Sequence, residues 1–476
     1  MKKILTKITV LVLAICLSGA VSLFAGCGGG GQIDYEHTII FYTSQGDNLV
    51  SVTQNAIDAF EAKYPGWKVE HTQPGGYDEV KDKIVSDLQV QTQPDLAYCY
   101  PDHVAQYLQT GKVVDLNKYL DSTDTAKWTV TNEDGTTQEV DTGEVIGYTE
   151  AELSDFVSRY FEEGIATNFT GYDTYGYTAD AMLTLPFVKS TELMYYNADA
   201  LKACGLQPAK TWDELWAQCD TIKKRFPTAT PLGYDSEANW FITMCEQNGW
   251  GYTSIDPNNH YLFNGPEQAA WLAKLSEYYA KGYFTTQEDY GAYTSALFTK
   301  GVEDGGLVYC IGSSGGASHQ DPGDVFRWGV APVPGSVLAD GTVNKSVISQ
   351  GPSLVMLTGG NNVSNPTEKE IMTFMFIKEL LDPQFQASFS TASGYNAARL
   401  SADEVPAFQE FIESGTIVAT AVKTGLTMRE DFFVSPAFNG SSTARLQVGN
   451  VIVYAMRGEK TPEQALADAY KNCGGK

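Results

Sequence analysis

Thr38-Ile-Ile-Phe-Tyr42 is followed, after five residues, by Asn48-Leu-Val-Ser-Val-Thr-Gln-Asn-Ala-Ile-Asp-Ala-Phe-Glu-Ala-Lys-Tyr64. The first run is β-branched and aromatic, the composition of a buried strand. The second places Val52, Ala56 and Phe60 four residues apart, on one face of a helix over 48–64. The same alternation continues downstream. A short strand is predicted at 67–69, a helix marked by Val80, Ile84 and Leu88, a strand at 95–99 and a helix at 103–111. Strands alternating with helices predict an α/β fold with a parallel sheet.

Beyond this block the pattern is interrupted. Residues 121–178 are polar, rich in Thr, Asp, Glu and Gly, and read as an elaborated connection with one helix at 150–163. Strands follow at 182–187 and 191–197, then a short helix at 199–204. Thr211-Trp-Asp-Glu214 has the spacing of a capping box opening a helix to residue 224. A helix over 266–281 carries Pro at its first turn and ends at Gly282. Strands are expected at 307–311, 328–333 and 353–357, and helices at 368–381, 406–413 and 462–470. There is no internal repeat.

The chain has 476 residues, 43% hydrophobic and 19% charged, which is globular composition. It carries a net charge of −26, with no basic footprint for nucleic acid. Lys2, Lys3 and Lys7 precede an apolar stretch over 8–17, too short to span a membrane and of the form of an export signal. Leu23-Phe-Ala-Gly-Cys27 ends it. This segment resembles a bacterial lipobox, with Phe24 in a position usually held by Leu. The resemblance implies cleavage of residues 1–26, lipidation of Cys27 and a Gly-rich tether over 27–36. Losing residues 1–26 removes three lysines and no acid, taking −26 to −29.

Several chemistries are disfavoured by the spacing of the residues they need. Gly312-Ser-Ser-Gly-Gly316 matches G-x-S-x-G after a predicted strand, but the only later histidine is His319, five residues on. The five histidines form no zinc pattern, and no phosphate-binding P-loop is present. Cys99, Cys204, Cys219, Cys245, Cys310 and Cys473 are scattered and read mainly as buried small side chains. Cys204 with Cys219 and Cys219 with Cys245 are the candidate oxidised pairs outside the cell.

Leu185-Pro-Phe-Val-Lys-Ser-Thr-Glu-Leu-Met-Tyr-Tyr-Asn197, with Ala198-Asp-Ala-Leu-Lys-Ala-Cys-Gly-Leu206 and Lys210-Thr-Trp-Asp-Glu-Leu215, resembles the family 1 extracellular solute-binding proteins of bacterial ABC importers. Phe263-Asn-Gly-Pro-Glu267, Trp328-Gly-Val-Ala-Pro-Val-Pro334, Ser393-Gly-Tyr-Asn-Ala397 and the block from Gly458 to Leu466 agree with it. Glu303-Asp-Gly-Gly306 departs from the family's usual basic-small-Ala-Met run. The resemblance implies a two-lobed type II periplasmic-binding-protein fold with a hinged cleft. It places 37–185 plus 306–380 in one lobe, with an insertion at 121–178, and 186–305 plus 381–476 in the other. Crossings are expected near 185–186, near 305–307 and beyond 381.

The implied function is capture of a carbohydrate-type solute, a sugar or oligosaccharide, for an ABC permease. The implied protein is a lipid-anchored extracytoplasmic monomer that performs no catalysis and carries no cofactor or metal. The alternative solute is sn-glycerol-3-phosphate or a glycerophosphodiester, because some blocks are similar to the sn-glycerol-3-phosphate receptors of the family. A secreted carbohydrate-acting hydrolase is the remote alternative. By that similarity the ligand-binding residues are Tyr77, Asp102, Ser190, Ser313, Ser314, Gly351, Tyr395 and Arg445, with Trp240 added as a stacking ring. An arginine fork with serine hydroxyls suits phosphate or sugar hydroxyls, aromatic faces suit sugar C–H faces, and an acid accepts from paired hydroxyls. The plain alternatives are core packing for the rings, turn geometry for Ser313-Ser314 and a surface ion pair for Arg445.

Overall fold

The computed structural model describes residues 33–131 and 134–475. The export signal and Cys27 lie outside the described residues, as does most of the tether. From Tyr35 onward the chain forms a body with two five-stranded sheets.

The first sheet runs Lys68–Thr72, Thr38–Tyr42, Leu96–Cys99, Ser353–Met356, Leu185–Pro186. Its first three strands are parallel, and Ser353–Met356 returns antiparallel, pairing Ser353 with Cys99. Side chains alternate across a strand, and here both faces are covered. Ile39 and Phe41 enter one buried cluster, Ile40 and Tyr42 another. Helix Asp47–Lys63 packs by Phe60 against Phe376 of helix Pro366–Leu380, with ring centroids 5.2 Å apart. Val80 and Ile84 are buried on helix Tyr77–Val90 as their spacing predicts.

The second sheet runs Phe284–Thr286, Thr230–Tyr234, Leu307–Ser313, Glu192–Asn197, Trp328–Pro332. Helix Trp212–Arg225 opens on Thr211, whose side chain accepts from the Glu214 N–H at 3.2 Å. Glu214 returns its carboxylate to the Lys210 N–H at 2.7 Å, one residue before the predicted partner. The core beside this sheet is aromatic. Trp240 stacks on Tyr234 at 4.7 Å, and Trp212 and Trp216 lie about it.

Three stretches connect the lobes. The first is Val188–Lys189, paired with Asn396–Ala397. The second is Val347–Ile348, paired with Phe432–Phe433. The third lies between helix Pro383–Ser393, which packs on Asp47–Lys63, and helix Ile417–Leu426, which packs on the second sheet. Two expected boundaries are therefore corrected. Leu307–Ser313 hydrogen-bonds on both sides within the second sheet, so residues 306–332 do not belong with the first lobe, and the second crossing comes at 347–352 rather than 305–307. Helix Pro383–Ser393 stays with the first lobe because Phe389 packs against Phe187 at 4.9 Å.

The insertion holds an unpredicted hairpin, Thr125–Thr131 with Thr137–Val145, whose Ala126 and Trp128 are buried. The helix expected at 150–163 is two, Glu150–Ser154 and Ser158–Glu162. Phe156 and Val157 break it by pairing with the 398–399 backbone. Among the described residues the six cysteines are free, so neither candidate pair is oxidised, and four are buried.

Candidate functional site

A cavity of about 840 Å³ lies between the lobes. The first lobe supplies Tyr77, Asp78, Lys81 and Asp82, from the start of helix Tyr77–Val90, and Tyr100 to His103, where strand Leu96–Cys99 passes into helix Pro101–Tyr107. The second supplies Ser236 to Ala238, Tyr252, Thr253, Gln287, Glu288 and the opening of helix Ser441–Met456 with Arg445. Ile348 to Gln350, on the second crossing, form part of the wall.

The lining is acidic. Asp78, Asp82, Asp102, Glu237 and Glu288 face it against the cations of Lys81 and Arg445. Lys81 is already engaged, bonded to Asp78 at 2.9 Å and 3.4 Å from Asp82. Burial pushes the Asp78 carboxyl up, but the Lys81 ammonium outweighs it and the net displacement is downward. Burial lowers His103 below its ordinary value despite the nearby Asp102 and Asp78. Arg445 donates through Nη2 to Asn239 Oδ1. Ser442 Oγ donates to Asp102 Oδ2 at 3.1 Å, a bond that spans the cleft. Tyr77 stacks on Tyr100 with centroids 4.3 Å apart, giving the first lobe a tyrosine wall. Thr253 Oγ1 and Gln350 Oε1 are buried without a hydrogen-bond partner, in residues that line this cavity.

A smaller cavity of about 230 Å³ adjoins, lined by Ser44, Gln45, Tyr98, Gly315, Ser318, His319 and Tyr395, with Tyr77 facing both. Burial raises the Tyr395 phenol, and its hydroxyl interacts with Tyr77 and Ser190. The Tyr395 ring lies on Gly315, where a Cβ would come within 2.9 Å of it.

The sequence-predicted residues fall into distinct places. Tyr77, Asp102 and Arg445 meet in the large cavity, while Tyr395 joins Tyr77 at the small one. Ser190 and Gly351 lie on the crossings, where Ser190 and Gln350 exchange backbone hydrogen bonds of 2.9 and 2.8 Å. Ser314 is tied to Thr191 by its N–H at 2.8 Å, and Ser313 Oγ accepts from the Gly315 N–H at 3.2 Å. Trp240 is a correction. It is fully buried on the inner face of helix Glu237–Asn248, among the rings of Tyr234, Trp212, Trp216, Trp271 and Phe284, with no face left for a solute. Its neighbours Ser236, Glu237 and Ala238 line the cavity instead. Tyr100, Tyr252 and Asn239 were not foreseen. Tyr100 had a signal, its place at a strand-to-helix junction on the same sheet edge as Tyr77.

The protein is similar to the sn-glycerol-3-phosphate-binding periplasmic protein UgpB of Escherichia coli K12, 24% identical over 464 residues that cover 94% of each chain. Among solved structures, UgpB of Mycobacterium tuberculosis in complex with glycerophosphocholine superposes with a TM-score of 0.68 at 16% identity, covering 94% of this chain and 98% of that one. The ABC substrate-binding protein Lmo0181 of Listeria monocytogenes in complex with cycloalternan also gives 0.68, at 14% identity and with 92% and 99% covered. These superpositions establish the two-lobed periplasmic-binding-protein fold with its cleft. Residues 55–413, well over half of the chain, match the family model of the bacterial extracellular solute-binding proteins, and the protein belongs to that family.

Proposed function

We propose that the protein captures a neutral, carbohydrate-type solute in the interlobe cavity and presents it to an ABC permease, held at the membrane by a lipid on Cys27. The supporting observation is the lining. Five carboxylates against two cations, Lys81 and Arg445, with Lys81 held by Asp78, leave the lining net negative and disfavour a dianionic ligand, since like charges brought together in a closed site repel. Sugar hydroxyls donate to carboxylates, and Tyr77, Tyr100 and Tyr252 offer faces to sugar C–H groups. The volume is also ample for more than one sugar ring.

A glycerophosphodiester is the second reading, favoured by Arg445. A guanidinium fork suits a phosphodiester, and the surrounding acids suit a cationic head group. The relatives named for sn-glycerol-3-phosphate and glycerophosphocholine make it worth testing directly.

A thermal-shift and calorimetric screen of mono- and oligosaccharides, glycerol-3-phosphate and glycerophosphodiesters decides between them, because a bound solute raises the unfolding midpoint by mass action. The expected result is a shift with a neutral saccharide that is recovered intact. A shift with phosphoesters alone overturns the saccharide reading, and turnover of the saccharide overturns binding without chemistry. Arg445→Ala separates the two further: it abolishes phosphoester binding and leaves neutral saccharide binding within about tenfold.

A further inference from the structure

The strand Glu192–Asn197 begins with a carboxylate that is 1% exposed. Tyr234 donates its hydroxyl to Glu192 Oε2, and Asn239 Nδ2 donates to Oε1 at 2.9 Å. Asn239 is itself buried and spans from this pocket to the cavity, where its Oδ1 accepts from Arg445 Nη2. An amide has one accepting end and one donating end, so these two partners fix its orientation: oxygen to guanidinium, nitrogen to carboxylate. The charged and titratable groups facing Glu192 are Tyr234 and Asp235 from the end of strand Thr230–Tyr234 and Arg445 from helix Ser441–Met456. Arg445 is the one cation among them. A carboxylate is not kept in such a place without a compensating charge or a bound proton.

We propose that Glu192 is the counter-charge and positioning residue of Arg445, coupled to it through Asn239, and that its protonation sets how much positive charge the cavity offers a solute. The consequence for specificity rests on the reading that this cavity holds the solute. With Glu192 ionised, Arg445 is partly neutralised and the cavity favours uncharged hydroxyls. With Glu192 protonated, Arg445 is released toward an anion. Burial pushes the Glu192 carboxyl up to about 7, with Asp235 adding to the rise and Tyr234, Asn239 and Arg445 opposing it. The exchange between the two conditions therefore falls near neutral pH.

The fold supplies its own reporter, because Tyr234 stacks on Trp240 with planes 10° apart. Tryptophan emission of the purified, solute-free protein is followed from pH 5 to 9. The wild type is expected to show a transition near pH 7 that Glu192→Gln lacks. Arg445→Met, a change at the cavity wall that leaves the buried pocket intact, is expected to move the midpoint upward by about one pH unit, since a nearby cation favours the carboxylate. By reciprocity, that displacement measures what ionised Glu192 does to Arg445. The proposal is overturned if the wild type has no transition in this range, if Glu192→Gln retains it, or if Arg445→Met leaves the midpoint in place. No solute enters the titration, so a wrong solute class would show in the ligand screen and not here.

Discussion

Lys189 lies on the first crossing, 2% exposed, with its ammonium 2.5 Å from Glu163 Oε2 and 3.0 Å from Ser353 Oγ. Ser349 Oγ donates to the other Glu163 oxygen at 2.5 Å. Four residues from three stretches of chain thus meet where the lobes join, and each polar atom depends on the others. Removing the ammonium leaves the Glu163 carboxylate buried without a cation, the costly way to break such a pair. Lys189→Met is expected to lower stability by about 3–5 kcal/mol in urea denaturation, and a loss below about 1 kcal/mol would mean the pair is poorly formed. At this scale the sequence was only partly legible. Arg445, Asp102 and Tyr77 were nameable from motif position and do share one cavity. Trp240 was misplaced because residue type does not reveal which face of a helix a ring occupies. Glu192 carried a faint signal, an acid inside the apolar run Thr191-Glu-Leu-Met-Tyr195, but its partners at 234, 239 and 445 are remote in sequence.

Elements whose hydrophobic period is clean match their reading. Thr38–Tyr42 is found as predicted, and Tyr77–Val90 buries Val80 and Ile84 at the predicted spacing, with Leu88 half-buried. Elements that bury more than one face do not show a clean period. Helix Glu237–Asn248 buries nine of its twelve residues, and helix Ser441–Met456 is covered on one side by that helix and on another by Pro462–Asn472. Neither was predicted. The hairpin at 125–145 was missed for the opposite reason: its outer positions are polar, and only Ala126 and Trp128 are fully covered. The crossings are the shortest elements and the least legible, yet their geometry is exacting. Gly351 adopts φ of +87°, and a Cβ there would lie 2.6 Å from the Val188 carbonyl oxygen and 3.0 Å from Lys189 Cα. Backbone on the facing crossing cannot swing aside as a side chain would. Gly351→Ala is therefore expected to cost about 2–4 kcal/mol, from left-handed strain and crossing displacement together. Urea denaturation checks it, and an unchanged midpoint would show that the crossings separate freely.

Across the whole molecule the acids divide between the lobes, Asp78, Asp82 and Asp102 on one side of the cavity and Glu237 and Glu288 on the other, with Glu192 buried behind Arg445. The buried Glu192 carboxyl also bears on global stability. Its value rises from an ordinary 4.5 to about 7 in the folded chain, with burial the largest cause. The folded state then holds its proton more tightly than the unfolded state does. Its contribution to stability is complete below pH 4.5 and is lost as pH rises through about 7. Glu192→Gln has no such proton to lose. Asp95 is also raised, to about 6 by burial, but wild type and variant share it and it cancels in the comparison. Between pH 5 and pH 8 the wild type should therefore lose about 2–3 kcal/mol more stability than Glu192→Gln, measured by urea denaturation at each pH. The sign is the sharp part of the expectation. A surface carboxylate held by a cation has a lowered value and would make the wild type gain on the variant as pH rises. Parallel stability profiles would place Glu192 in contact with water and remove the basis for its coupling to Arg445.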